Sequence, residues 1–188
     1  MRYLVISDTH GATDVAEMVF KSQHSIDPID EIIHLGDYYR DAMDLARRVD
    51  VPVTAVKGNM DGSFSSNDYK ILETEFGNIY LAHGHMESVK FSNREIMYKA
   101  DALGCKAVFY GHTHVPFYTV EEGLYVLNPG SLGRPAGGRK GSYAIVTVEK
   151  DQFSATILYV DQAASGGPAS SGRTRSSLLE ALNYSDRF

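Results

Sequence analysis

The feature that most constrains this chain is its first eleven residues, an apolar run that stops abruptly at Asp8-Thr9-His10. Residues 3–6 are apolar on both faces, the pattern of a strand inside a sheet that helices cover. Side chains alternate along an extended backbone, so an extended segment 7–10 puts Asp8 and His10 on one side and Thr9 on the other. The strand then ends in a two-ligand claw. In open α/β sheets ligands gather beyond the carboxyl ends of strands, and this claw sits there.

Later segments repeat the theme. Asp14-Val15-Ala16-Glu17 offers a capping residue with Glu three positions on, and Val15, Met18 and Val19 make an apolar stripe at helical spacing. Asp27-Pro28 ends that helix, residues 31–35 read as a second strand, and Gly36-Asp37 follows it. Ala42, Leu45, Ala46 and Val49 then predict a second amphipathic helix before a third strand over 51–56, which ends in Gly58-Asn59-Met60-Asp61-Gly62. Strands alternating with helices imply parallel βαβ units.

The pattern then changes. Residues 70–75 and 79–82 flank Phe76-Gly77-Asn78 as a hairpin whose second strand runs into His83-Gly84-His85. Ser92-Asn93-Arg94-Glu95 reads as a capping box, Ile96, Ala100 and Leu103 as a stripe, and Gly104 as the cap at the far end. A strand over 107–110 leads to Gly111-His112-Thr113-His114, where alternation again sends both histidines to one side. Residues 117–120, 124–127, 141–148 and 152–160 read as strands, with a Gly- and Pro-rich loop over 128–138 between the two hairpins. The expected fold is α/β, two packed sheets flanked by helices.

A chain of 188 residues suits one well-buried core. We expect residues 1–161 to form a single domain and residues 162–188 to be a flexible Gly- and Ser-rich tail, with one short helix able to start near Ser177. The lone Cys105 cannot form an internal disulfide, and it precedes an apolar strand where a small buried hydrophobe fits. No apolar run reaches the roughly 20 residues that span a bilayer. The N-terminal segment enters a strand directly, without the basic and apolar regions of an export signal, so a cytoplasmic setting is expected. A formal net charge of -6 argues against an extended nucleic-acid surface, which neutralises many phosphates with Lys and Arg. It leaves room for a small phosphorylated substrate.

Five strand ends thus carry metal-capable residues: Asp8 with His10, Asp37, Asn59, His83, and His112 with His114. Carboxylate and amide oxygens with imidazoles suit manganese first, with iron, zinc or nickel as alternatives, and no thiolate specifies a structural zinc site. Seven ligands exceed what one tetrahedral ion takes and suit two ions sharing a carboxylate.

Taken together and in order, D-x-H, G-D, G-N, H and G-H-x-H resemble the calcineurin-like metallophosphoesterase superfamily, and most of all its small branch of YfcE-like phosphodiesterases and Vps29-like proteins. The likeness runs from residue 1 to about 160 and includes Asn128-Pro129-Gly130-Ser131. It implies a four-layer α/β/β/α sandwich of two mixed sheets flanked by helices. It also implies that Asp8, His10, Asp37 and His114 hold one divalent ion and Asp37, Asn59, His83 and His112 the other. The implied reaction is hydrolysis of a small phosphodiester or nucleotide-like substrate by a hydroxide bridging the ions. Where many members place His after the motif Asn, this chain has Met60, so the usual leaving-group acid is missing and diesters with good leaving groups are expected. The other reading implied by the same likeness is a Vps29-like scaffold or binding protein without useful turnover, and a homo-oligomer is compatible with either.

Other residues keep two readings. His85 either donates to a substrate oxygen, as a catalytic group, or supports His83 by hydrogen bonding. Arg134 and Arg139 either clamp a substrate phosphate or are solvated loop charges. Tyr38 and Tyr39 either stack on a substrate ring or pack as wall. His34 is expected to be structural, His24 to lie on the surface, and Asp61 to orient the Asn59 turn through backbone hydrogen bonds.

Overall fold

A computed structural model describes residues 1–62 and 68–160. The expected C-terminal tail and its helix lie outside the described residues, as does the boundary proposed for them. Two five-stranded mixed sheets face one another. The first has the order β10-β9-β1-β2-β3, with β1 Arg2–Ile6, β2 Glu31–His34, β3 Val53–Ala55, β9 Ser142–Glu149 and β10 Gln152–Tyr159. The second has the order β4-β5-β6-β8-β7, with β4 Tyr69–Leu72, β5 Ile79–Ala82, β6 Ala107–Phe109, β7 Phe117–Glu121 and β8 Leu124–Asn128. Strands β1, β2 and β3 are parallel, as are β5, β6 and β8.

The period-2 alternation of side chains builds the layers. Tyr3 and Val5 of β1, Ile33 of β2, Ile79 and Leu81 of β5, and Phe109 of β6 meet between the sheets with Val146 and Val148 of β9. Leu4 and Ile6 turn the other way. They pack with Ile32 against Ala16, Val19 and Phe20 of α1 (Thr13–Ile26) and Leu45 of α2 (Tyr39–Arg48). On the far side Tyr80, Ala82, Val108 and Val126 receive Ile96 and Ala100 of α3 (Arg94–Ala102). Three apolar clusters therefore separate four layers, α/β/β/α, as expected. Because both faces of β1 are covered, it reads as a continuous apolar run.

The helix ends differ from expectation in instructive ways. Helix α1 starts at Thr13 after Ala12, with no side-chain cap; Asp14 sits inside the first turn and pairs with Arg48 of α2 at 2.6 Å. Ser92 does not close a capping box either, since its Oγ accepts from the Arg94 N–H just beyond. The far end of α3 is the expected glycine cap. Gly104 takes φ 67°, and the Gly104 and Cys105 amides donate to Asp101 and Ala100 carbonyls, the paired bonds of a Schellman motif. In α2 the expected stripe is rotated: Asp41, Ala42 and Leu45 are buried while Ala46 is exposed. His24, expected at the surface, is half-buried on Phe20 and accepts the Ile29 N–H, fixing the turn into β2.

The inter-sheet layer holds the largest of the three buried apolar clusters. Phe109→Ala should cost about 3–5 kcal/mol by urea unfolding, from lost burial plus an unfilled cavity, with an unchanged slope. Phe91→Ala, at a side chain 93% exposed, should cost almost nothing by the same measurement.

Candidate metal centre at the strand ends

The loops leaving β1, β2, β3, β5 and β6 meet at one end of the sheets. The claw forms, but not by strand alternation. Strand β1 ends at Ile6, and Asp8 and His10 take left-handed φ values of 53° and 46°. Strand β6 likewise ends at Phe109, with His112 and His114 at 66° and 58°. Asp37, at 54°, makes five such residues in the cluster. Left-handed non-glycine residues carry strain and persist where surrounding contacts over-determine them. Here those contacts are visible. The Asp8 N–H donates to the Gly36 carbonyl, the Asp8 carbonyl accepts from Gly133 N–H and Ser131 Oγ, and the Met60 N–H donates to Asp37 Oδ1.

Asp37 stands at the middle, almost wholly buried. Its Oδ2 lies 3.9 Å from His10 Nε2, and its Oδ1 lies 3.4 Å from His83 Nε2. One carboxylate thus faces two groups of ligand atoms. On the first side Asp8, His10, Asp37 and His114 each bring one ligand atom, all within 4.8 Å of one another. On the second, His83 Nε2 is 3.2 Å from Asn59 Oδ1 and 3.2 Å from His112 Nδ1. All seven residues expected to ligate metal converge in this way.

The imidazoles are held with a lone pair inward. His83 donates its Nδ1–H to the Leu35 carbonyl at 2.7 Å and His114 donates its Nδ1–H to the Arg134 carbonyl at 2.5 Å, so each presents an unprotonated Nε2 when neutral. Asp8 Oδ2 is saturated by the Ser7 hydroxyl and the His112 N–H. Asp8 Oδ1, fully buried, has no hydrogen-bond partner among the described residues although His114 Nε2 lies 3.0 Å away. A buried carboxylate oxygen without a donor, beside inward-facing imidazole nitrogens, is a donor set that suits divalent cations.

Burial pushes the Asp8 carboxyl upward, but contact with His114, the charge of His83 and the Ser7 hydroxyl outweigh it and hold its pKa below the ordinary value. His114 is raised in turn, chiefly by Asp8. His112 is pushed down to about 4, by burial first and then by His83. His10 is lowered by burial against the opposing pull of Asp8 and Asp37. Neutral His10 and His112 near pH 7 are the form that coordinates metal.

Several supporting residues lie outside the seven expected ligands. Fully buried His34 accepts the Gly36 N–H at Nδ1 and so donates from Nε2 to Thr9 Oγ1 at 3.0 Å; Thr9 donates to Asp41 Oδ2, which also accepts from Gly11 N–H. This relay ties β2, the Asp8 turn and α2 together. Buried Asn128 donates to the Gly111 carbonyl and to Thr113 Oγ1, holding the His112 turn while Ser131 of the same loop holds Asp8. A polar residue on the buried side of an amphipathic helix, as Asp41 is, is the signal the sequence offers for the Thr9–His34–Asp41 relay, whereas Asn128 and Ser131 belong to the 128–131 segment named above. Asp61 does accept backbone N–H groups from Gly58 and Tyr39. Only glycine fits at 58 and 111, where a Cβ would run into Asp37 Oδ1 and Ser7 Oγ respectively.

His85 stands 5.5 Å from the His83 ring and 6.1 Å from the His112 ring. Its Nδ1 is buried without a partner among the described residues, and its pKa is lowered by burial and then by His83. Arg134 is exposed at the rim, close enough for its charge to bear on His10. Arg139 is exposed further along the loop, where no described contact links it to the cluster.

The model for the calcineurin-like phosphoesterase superfamily domain matches residues 1–151. The chain is 33% identical over 163 residues to a probable metallophosphoesterase, YsnB, of Bacillus subtilis, covering 87% of this chain and 92% of that one. It is 26% identical over 179 residues to the phosphodiesterase YfcE of Escherichia coli K12, covering 84% and 92%. Among solved structures it resembles Vps29 of Entamoeba histolytica complexed with zinc, with a TM-score of 0.67 at 21% identity, over 86% of this chain and 99% of that one. A β-sandwich flanked by helices, with its carboxylates and imidazoles gathered at the strand ends, therefore belongs by sequence as well as by shape to the calcineurin-like phosphoesterase superfamily.

Proposed function

We propose that this protein is a dinuclear metal-dependent phosphodiesterase acting on small phosphodiesters, nucleotide-like compounds foremost. The single observation that carries this reading is Asp37, whose Oδ2 faces His10 and whose Oδ1 faces His83, each beside further ligand atoms. Asp8, His10, Asp37 and His114 would hold one divalent ion, and Asp37, Asn59, His83 and His112 the other, with manganese the first choice and iron, zinc or nickel the alternatives. Such a pair supplies a water of lowered pKa and positive charge facing the phosphoryl oxygens.

The residues of the chain set the rest of the chemistry. Hydrogen bonds to Leu35 and Arg134 fix the tautomers of His83 and His114, so neither ring must reorient on loading. On this reading His85, whose pKa is lowered by burial and then by His83, would donate an N–H to a substrate oxygen. Arg134 at the rim adds positive charge on the His10 side, and Arg139 is the weaker candidate for such a role. No proton donor stands where Met60 does: its side chain is 59% exposed and carries no acidic hydrogen. The leaving oxygen must therefore depart with little help, which favours aryl and nucleotidyl esters over alkyl phosphates.

The rival reading, a Vps29-like binding protein, rests on the shared fold and on exposed apolar side chains such as Phe91 and Tyr98. The described residues contain no helix long and apolar enough to cross a membrane.

Protein dialysed against manganese should carry about two ions per chain and hydrolyse bis(p-nitrophenyl) phosphate, with EDTA abolishing the rate. Asp37→Asn should lower kcat/KM by about a hundredfold or more and reduce the bound metal, whereas His114→Ala and His83→Ala should each leave about one ion. Absence of both metal and turnover in the purified protein would support the scaffold reading instead. A second expectation follows from Met60: kcat/KM for the aryl diester should exceed that for a simple alkyl phosphate by about a hundredfold, and equal rates would show that another group protonates the leaving oxygen.

A further inference from the structure

Beside the metal centre, and outside the ligand set, lies a groove of about 540 Å³ between the outer face of α2 and the 57–61 turn. This volume suits a phosphorylated organic group. Two of its walls begin at Asp37. Tyr38 is the next residue and meets the His10 ring edge-on at 5.1 Å, while Met60 donates its N–H to Asp37 Oδ1. The groove therefore borders the ligand cluster through Tyr38 and Met60, with the ligand residues themselves outside its lining.

Its charge runs against that of the molecule. The chain has a formal net charge of -6, yet Arg40, Arg47 and Lys57 all line this groove. Arg40, Met43 and Arg47 follow helical spacing and share the face of α2 that points into it. Asp61, the lining carboxylate among the described residues, is held by the Gly58 and Tyr39 N–H groups. Among the described residues, Arg40 and Lys57 pair with no carboxylate and rest on aromatic rings instead. Arg40 lies 4.8 Å from the Tyr38 ring centre and Lys57 5.7 Å from that of Tyr39. Arg47 reaches Asp44 at 3.5 Å, whose other oxygen Arg48 takes at 2.5 Å. A ring contact orients a cation without using its N–H donors, which stay available to an anion.

The left-handed backbone at both Asp37 and Tyr38, with φ 54° and 75°, makes one turn serve two purposes. It aims the Asp37 carboxylate inward and lays the Tyr38 ring along the groove. The same bend thus joins the metal site to the cationic wall.

We propose that this groove is a subsite for a second anionic group of the substrate, a phosphate on the arm of the molecule that extends past Tyr38 and Met60. The preferred substrates are then phosphodiesters that carry a further phosphate monoester on one arm, rather than diesters with two uncharged arms. Arg40 and Lys57 act as specificity residues, and Tyr38 as the platform that sets Arg40. This inference rests on the phosphodiesterase reading only for which molecule is cleaved; the anion subsite can be tested by binding alone.

The test is isothermal titration of the manganese-loaded full chain with thymidine 5′-monophosphate and thymidine 3′,5′-bisphosphate. The bisphosphate should bind about tenfold more tightly, as expected for charge-assisted hydrogen bonds in a partly exposed site. Arg40→Gln and Lys57→Gln should each cut that ratio to about threefold, the double variant should bring it to about one, and 0.5 M salt should shrink it in the wild type. Lys150→Gln, which removes the same charge from the exposed β9–β10 turn, should leave the ratio unchanged. Equal affinities in the wild type, or a ratio indifferent to Arg40 and Lys57, would overturn the subsite whatever the enzyme hydrolyses. A ratio that behaves as described in a protein without diesterase activity would uphold the subsite and remove the hydrolase reading.

Discussion

The site is built around one buried carboxylate, that of Asp37. Asp37 is buried at the end of β2 with its oxygens turned to different partners, His10 on one side and His83 on the other. An isolated charge at such a depth would be costly unless compensated. The described donor to Asp37 is the Met60 N–H, and His10 and His83 approach from segments far apart in the chain, so the two sheets must pack in one register for the site to exist. The continuous apolar strands give that register, because a slip by one residue in β1 would exchange Leu4 for Val5 and put each against the wrong layer.

Much of this is legible in the amino-acid sequence alone. The apolar period of β1, the strand–helix alternation that follows and the polar residues after each strand point to the observed layers and to all seven converging residues. The reason for the convergence is not legible there. Extended-strand alternation would put Asp8 beside His10, whereas the real chain leaves the strand and uses left-handed turns at Asp8, His10, Asp37, His112 and His114. Backbone conformation of that kind is set by tertiary hydrogen bonds, such as Asp8 N–H to Gly36 and Ser131 Oγ to the Asp8 carbonyl, which no local pattern encodes.

The supporting relay is equally hidden. Thr9, His34 and Asp41 lie on three segments and become one network only when α2 packs on β1 and β2. The apolar stripe assigns Ala46 to the buried face, yet α2 turns Asp41 inward instead, because the Thr9 hydroxyl and the Gly11 N–H both need an acceptor there. The same rotation of α2 leaves Arg40, Met43 and Arg47 outward, along the groove beside the ligand cluster. One helix orientation thus sets both the rigidity of the Asp8 turn and the charge of the adjoining wall. The net negative charge of the chain sets that wall apart from the molecule as a whole.

The most direct measurement is anomalous scattering from a crystal of the manganese-loaded protein. The expected result is two peaks about 3.5–4 Å apart with Asp37 between them, one in contact with Asp8, His10 and His114 and the other with Asn59, His83 and His112. A single peak, or peaks that leave Asp37 to one side, would contradict the shared-carboxylate account.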